Sequence, residues 1–218
     1  MSNSKSSAWL SSAAAVLMLA TTAPAANAAG LAPSGNFVSL RVNNSHSVMG
    51  VILSPTKILV PAHAVGGAIA SYSILAGASD RTVTSCATCE LRAALSIVRH
   101  PNYNNTGTYS NDLAIVHVTA LTYNANVYAS TIPASFSNAV GTQFTQIGFG
   151  AGGSNHNKLL TTTVSPWTLS TMAGYAYTPG DFVTQTTDTS IYGMISYYQS
   201  GNQVYTKLPD YAAWINAN

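Results

Sequence analysis

Charge is what this 218-residue chain has least of. Asp, Glu, Lys and Arg together make up 6% of it, against about 25% in an average soluble protein. Eight basic and six acidic residues give a net charge of +2. That is too little to line a stripe along a phosphate backbone, so nucleic acid is excluded as the expected partner. Solubility has to come from Ser, Thr, Asn and Tyr instead, a surface common in secreted proteins. Long apolar runs are lacking too. The stretch Ala8 to Ala20 is about a dozen residues, where a membrane-spanning helix needs about 20, and no later segment is long enough. With Lys5 before it and Ala26-Asn27-Ala28 after it, the run has the form of a secretory signal. Cleavage is expected after Ala28, leaving residues 29–218 as a secreted, extracellular protein with no membrane partner.

Cysteine is almost absent. Cys86 and Cys89, in "SCATCE", are the two in the chain. A zinc site needs four ligands and no second Cys or His pair stands at suitable spacing. In an oxidising compartment the expectation is a short-loop disulfide. Free thiols and a redox motif are the alternatives, although the latter needs a helix after a strand and this segment reads as a loop. His46, His100, His117 and His156 are scattered, which fits structural or surface roles. "GFGAGG" has the glycines of a phosphate loop without the helix pattern that should follow. No metal and no cofactor are expected. Two sequons, Asn43-Asn44-Ser45 and Asn104-Asn105-Thr106, are usable acceptors if the host glycosylates.

What the chain does have is a hydrophobic fraction of 47%, enough for a sizeable core, distributed in short runs. Phe37 to Val42, Val48 to Leu53, Lys57 to Val60, Ser71 to Ala76, Ala93 to Arg99, Leu113 to Val118, Gln143 to Gly148, Thr161 to Val164, Ile191 to Ser196 and Gln203 to Lys207 read as strands. Turn-forming Gly, Asn, Ser and Pro separate them at intervals of about 8–12 residues, the spacing of an all-β sandwich or barrel. Only the end reads as helix, with Pro209 in its first turn and Tyr211, Trp214 and Ile215 on one face. A break near "LTYNANVYASTIPAS" divides the chain into halves, about 35–122 and 123–218.

Two stretches carry chemistry. "ILSPTKILVPAHAVGG" is strand, turn, strand and then His63; "SIVRHPNYNNTGTYSNDLAIVHV" delivers Asp112 just before a buried strand. A general base and an orienting carboxylate, each at the end of a rigid strand, are what acyl transfer by an activated hydroxyl requires.

These segments, with "FVSLR", "RHPNYN", "IGFGAGG", "IYGMISYY" and "VYTKLPDYAAWI" in order from about Phe37 to Ile215, resemble the trypsin-chymotrypsin family of serine proteases. The resemblance implies two six-stranded antiparallel β-barrels with a cleft between them and a short C-terminal helix. It gives His63 the position of the general base and Asp112 that of the carboxylate orienting it. Gly180 takes one oxyanion-hole position and Ser196 that of a residue whose backbone aligns substrate. Ala176 aligns loosely with the base of the specificity pocket, which removes support for a preference for basic side chains. Tyr197-Tyr198 stands where the family has Trp-Gly, with ring bulk to fill the pocket.

The departures matter as much. The family has Gly-Asp-Ser-Gly-Gly-Pro before an apolar strand, and here Gly180-Asp181 runs straight into Phe182-Val183. The attacking serine and the N–H it would lend to the oxyanion hole are missing together. "AGLAPSGNF" does not match the family's Ile-Val-Gly-Gly, so Asp181 lacks the ammonium it would pair with and is expected to be solvent-exposed or paired differently. Val48 and Ala64 stand where the family has the cystine beside its histidine. The resemblance thus leads to a secreted pseudoprotease with His63 and Asp112 vestigial, acting by binding an extracellular protein or target enzyme, as in the family's secreted glucanase inhibitors. The alternatives are an active serine endopeptidase, if the gap is a gene-model error, and a glycan-binding module using exposed tyrosines.

Overall fold

The computed structural model describes residues 30–31, 35–106, 109–135, 144–149, 159–164, 171–172, 182–185, 190–199 and 202–218. In chain order their strands are β1 Gly30–Leu31, β2 Phe37–Val42, β3 Ser45–Ser54, β4 Lys57–Val60, β5 Tyr72–Ala76, β6 Glu90–Arg99, β7 Ala114–Val118, β8 Phe144–Phe149, β9 Leu159–Val164, β10 Thr171–Met172, β11 Phe182–Gln185, β12 Ile191–Gln199 and β13 Asn202–Lys207. A turn of 3-10 helix, Leu208–Tyr211, leads into the one α-helix among them, α1, Ala212–Ala217. Pro209 sits in that first turn, where its missing N–H costs nothing. None of the described helices is long and apolar enough to cross a membrane.

The chain is all-β. Strands β2 to β7 close into an antiparallel barrel in the order β2-β3-β4-β7-β6-β5. The six strands of the C-terminal half, with β1 added at one edge, form an antiparallel sheet ordered β1-β9-β8-β11-β12-β13-β10. β2 and β3 are joined by Asn43-Asn44, both with positive φ (50° and 67°). Asn tolerates that region, and such a turn matches the twist of a tight hairpin. Arg41 steadies it by donating from its guanidinium to the Asn44 carbonyl.

Runs such as Ile58–Val60 and Leu113–Val116 are apolar at every position because both faces of their strands are covered. Leu40, Ile52, Ile58, Val60, Ile74, Ala114 and Val116 fill the barrel interior. The alternate residues Phe37, Met49, Val51, Leu59, Leu113 and Ile115 face outward, against Ile147, Phe149, Ile191, Met194, Leu208 and Ile215. Tyr211 and Trp214 pack on the edge of this second cluster. The layer between barrel and sheet is therefore a continuous core, and the strand ends at its rim are held rigidly.

One polar pair lies at that layer. Ser39 Oγ and His46 Nδ1 are 2.7 Å apart, and the His46 ring meets Phe149 edge-on at 4.9 Å between centroids. His46 Nε2 is buried and has no hydrogen-bond partner among the described residues. Burial, and then the cations of Arg81 and Arg41, lower the pKa of His46 from 6.5 to about 4, so the ring is neutral at physiological pH.

Candidate active site

The pairing of β4 with β7 sets Val60 opposite Ala114. His63 lies three residues beyond one strand end and Asp112 two residues before the other, so the ladder carries both to the same rim. Pro61, in extended conformation, starts the 3-10 turn Ala62–Ala64 that presents His63. His63 Nδ1 is 2.7 Å from Asp112 Oδ2, and the His63 backbone N–H donates to Oδ1 at 2.8 Å. Asp112 is fully buried, while the imidazole keeps 21% of its side-chain surface. A carboxylate only accepts, so Nδ1 carries the ring hydrogen and the lone pair lies on Nε2. The loop after His63 is tied back by Tyr72, whose hydroxyl accepts from the N–H groups of Gly66 and Gly67 at 2.9 and 2.8 Å.

A third donor comes from the sheet. Ser196 Oγ donates to Asp112 Oδ2 at 2.5 Å and is itself buried. The β12–β13 register shifts between Ile195 and Tyr197, and such an irregularity re-aims a side chain. The resemblance had assigned Ser196 a backbone role; its hydroxyl is committed to the carboxylate. The one polar residue in "IYGMIS" after two apolar neighbours was the available signal, but alternation alone does not reveal a bulge.

Aromatic rings border the imidazole. Tyr109 meets His63 edge-on at 6.0 Å and lies 5.7 Å from the ring of Tyr197. Tyr109 and Asn111 both have positive φ, 45° and 55°, uncommon for residues other than glycine. This loop is anchored from the C-terminal helix: Tyr211 Oη donates to Asn111 Oδ1 at 3.1 Å, and His100 packs against Tyr211 and Trp214. Sequence reading missed Tyr109, because nothing local indicates where a loop ring will land. Tyr103 senses the same carboxylate. Burial first, then Asp112 and Tyr109, raise its pKa above the ordinary phenol value against an opposing effect of Arg99.

Among the described residues no hydroxyl bonds His63 Nε2, Ser196 being turned to Asp112. Gly180, Asp181 and Ala176 lie outside the described residues. The strand that follows Asp181 is described: β11 pairs with β8 from Phe182↔Ile147 to Gln185↔Phe144 and with β12 at Phe182↔Met194. Cys86 and Cys89 form a disulfide in a solvent-exposed loop far in sequence from either site residue. No group of three metal-ligating side chains occurs among the described residues.

A family model described as Trypsin matches residues 30–215, most of the chain. The chain belongs to the trypsin family. Among relatives, a fibrinolytic enzyme, isozyme C, of Lumbricus rubellus is 34% identical over 100 residues, covering 43% of this chain and 39% of that protein. The alignment thus spans about two fifths of that relative's length. Among solved structures, human heparin binding protein superposes with a TM-score of 0.74, covering 87% of this chain and 95% of that one at 15% identity. At that identity the likeness speaks for the fold alone. The fold is trypsin-like.

Proposed function

We propose that this trypsin-family protein does not cleave peptide bonds and acts in the extracellular space by binding a protein partner, a target enzyme in the inhibitory case. One observation carries this. β11 begins at Phe182 and is paired on both sides from its first residue, so no residues separate Gly180-Asp181 from the strand. The sequence has no serine between Ser170 and Ser190, and Ser196 is engaged by Asp112. Loss of a nucleophile costs about 10⁶ in turnover in a well-studied serine protease, and loss of one oxyanion donor about 10²–10³. The two do not simply add, but either suffices to end ordinary proteolysis.

A second reading, an active serine endopeptidase, is favoured by the intact His63–Asp112 pair and by the name of the Lumbricus relative. It requires a serine that the chain does not have at this place. Sequencing the transcript across the codons for Asp181 and Phe182 separates the two. An uninterrupted junction supports the binding protein, and a Ser-Gly-Gly-Pro insert overturns it. Affinity capture from the native secretome then identifies the partner. Retention on insoluble polysaccharide instead would identify a glycan-binding module.

A further inference from the structure

The β2–β3 hairpin and the loop between β5 and β6, which contribute nothing to the His63–Asp112 pair, enclose a recess of about 600 Å³. Two cations line it, Arg41 from the hairpin side and Arg81 from the loop, among the hydroxyls of Ser45, Ser47, Thr82 and Thr84. Every one of these side chains can donate a hydrogen bond. The two lips are tied together before anything binds. Arg41 donates from Nε and Nη2 to the Asn44 carbonyl and from Nη1 to that of Val83 at 3.0 Å. Three of the five N–H groups of a guanidinium thus join hairpin to loop, and the charge is held in place. On the loop side Thr82 donates its N–H and its hydroxyl to Asp80 Oδ1 at 2.9 and 2.6 Å, and the Val83 N–H donates to the Asp80 carbonyl at 3.3 Å. That carboxylate fixes the turn and is not part of the lining. His46, which also borders the recess, reports the sign of the field. After burial, the charges acting on its ring are the cations of Arg81 and Arg41, and both oppose its protonation.

We propose that this recess binds a tetrahedral oxyanion, a sulfate or phosphate group, free or as an ester. Guanidinium groups match such anions with paired, charge-assisted N–H···O bonds. The surrounding hydroxyls donate to the oxygens that a guanidinium fork leaves over. A carboxylate has only two oxygens, both on one edge, and would leave those hydroxyls without acceptors. The ligand class is accordingly four-oxygen anions in preference to carboxylates. The proposal uses no residue of the His63 site, so it stands apart from the reading that no serine attacks.

The test is titration of the full chain with sodium sulfate, inorganic phosphate and sodium acetate at constant ionic strength, which holds general screening fixed. Heteronuclear NMR of the histidine rings reads it, with the His46 signals assigned from a His46→Gln variant. Sulfate and phosphate should shift those signals along a saturating curve, and acetate should bind about tenfold or more weakly. Arg81→Gln should weaken sulfate binding about tenfold or more, the loss of a charge-assisted hydrogen-bonded pair. Arg99→Gln removes the same charge outside the lining and should leave binding unchanged. Thr84, exposed on the rim, supplies a second variant if circular dichroism shows Arg81→Gln unfolded: Thr84→Val should weaken binding about threefold, as loss of one neutral hydrogen bond does. Glucose 6-phosphate separates the two sources, equal binding to phosphate supporting the ester and exclusion the free ion. Shifts that do not saturate, an equal response to acetate, or equal weakening by Arg81→Gln and Arg99→Gln would each overturn the proposal.

Discussion

Lowering the pH tests the layer between barrel and sheet, because His46 must take up a proton there that the structure is built to refuse. In the unfolded chain its imidazole titrates near 6.5; in the folded protein burial, Arg81 and Arg41 bring it to about 4. Above pH 6.5 neither state holds the proton, and stability is at its full value. As pH falls below 6.5 the unfolded chain binds it and the folded one does not, so stability declines, levelling once the folded value near 4 is passed. The displacement corresponds to about 3 kcal/mol at most, a large share of the 5–15 kcal/mol typical of a domain. No hydrogen bond from the described residues reverses the fall, since Nε2 has no acceptor among them and Ser39 already occupies Nδ1. Urea unfolding followed by tryptophan fluorescence at intervals between pH 7 and 4 measures it. Other groups titrate in this window, so the reference is a Ser39→Ala/His46→Leu variant, which removes both partners and leaves no lone hydroxyl. The wild type should lose about 2–3 kcal/mol more than the variant over the range. Equal pH dependence in the two would refute the reasoning.

Three further outcomes are expected. Ser196→Ala removes one of the three donors to buried Asp112, and a hydrogen bond to a charged group is worth about 1.5–3 kcal/mol; an unchanged urea midpoint would contradict this. Gly77 has φ +78, and a Cβ there would meet the Thr88 carbonyl oxygen at 2.7 Å, so Gly77→Ala should cost more than the about 1–2 kcal/mol of the left-handed conformation alone, read as a fall in thermal midpoint. The Cys86–Cys89 bridge closes a loop with a sequence separation of 3, so replacing both by Ser should cost no more than about 2 kcal/mol on chain-entropy grounds, measured by the same unfolding curves.

Much of the fold could be read before any coordinates. Strands buried on both faces declare themselves: Phe37–Val42 and Lys57–Val60 have the bounds the sequence suggests. Where a strand runs past its apolar part the reading stops short. β3 begins at Ser45 rather than Val48 because the ladder with β2 continues through Ser45↔Val42, and β6 starts at Glu90 because Ala76 is opposite it. Backbone pairing, indifferent to side-chain polarity, decides those ends. β1 and β10, two residues each, are too short to show a period of two. In the site, His63 just beyond one apolar strand and Asp112 just before another were visible as a candidate pair, the resemblance named them as such, and their side chains do meet. The hydroxyl of Ser196 was not visible, since its aim depends on a register shift between strands, and Tyr109 was not, since its position depends on a loop held by Asn111, Tyr211 and the C-terminal helix.

The central claim is that this trypsin-family chain holds a base, a carboxylate and no attacking serine. Intact-mass measurement after exposure of the purified native protein to excess fluorophosphonate tests it most directly. The account predicts an unmodified mass; one adduct per chain, mapped to a serine, would contradict it.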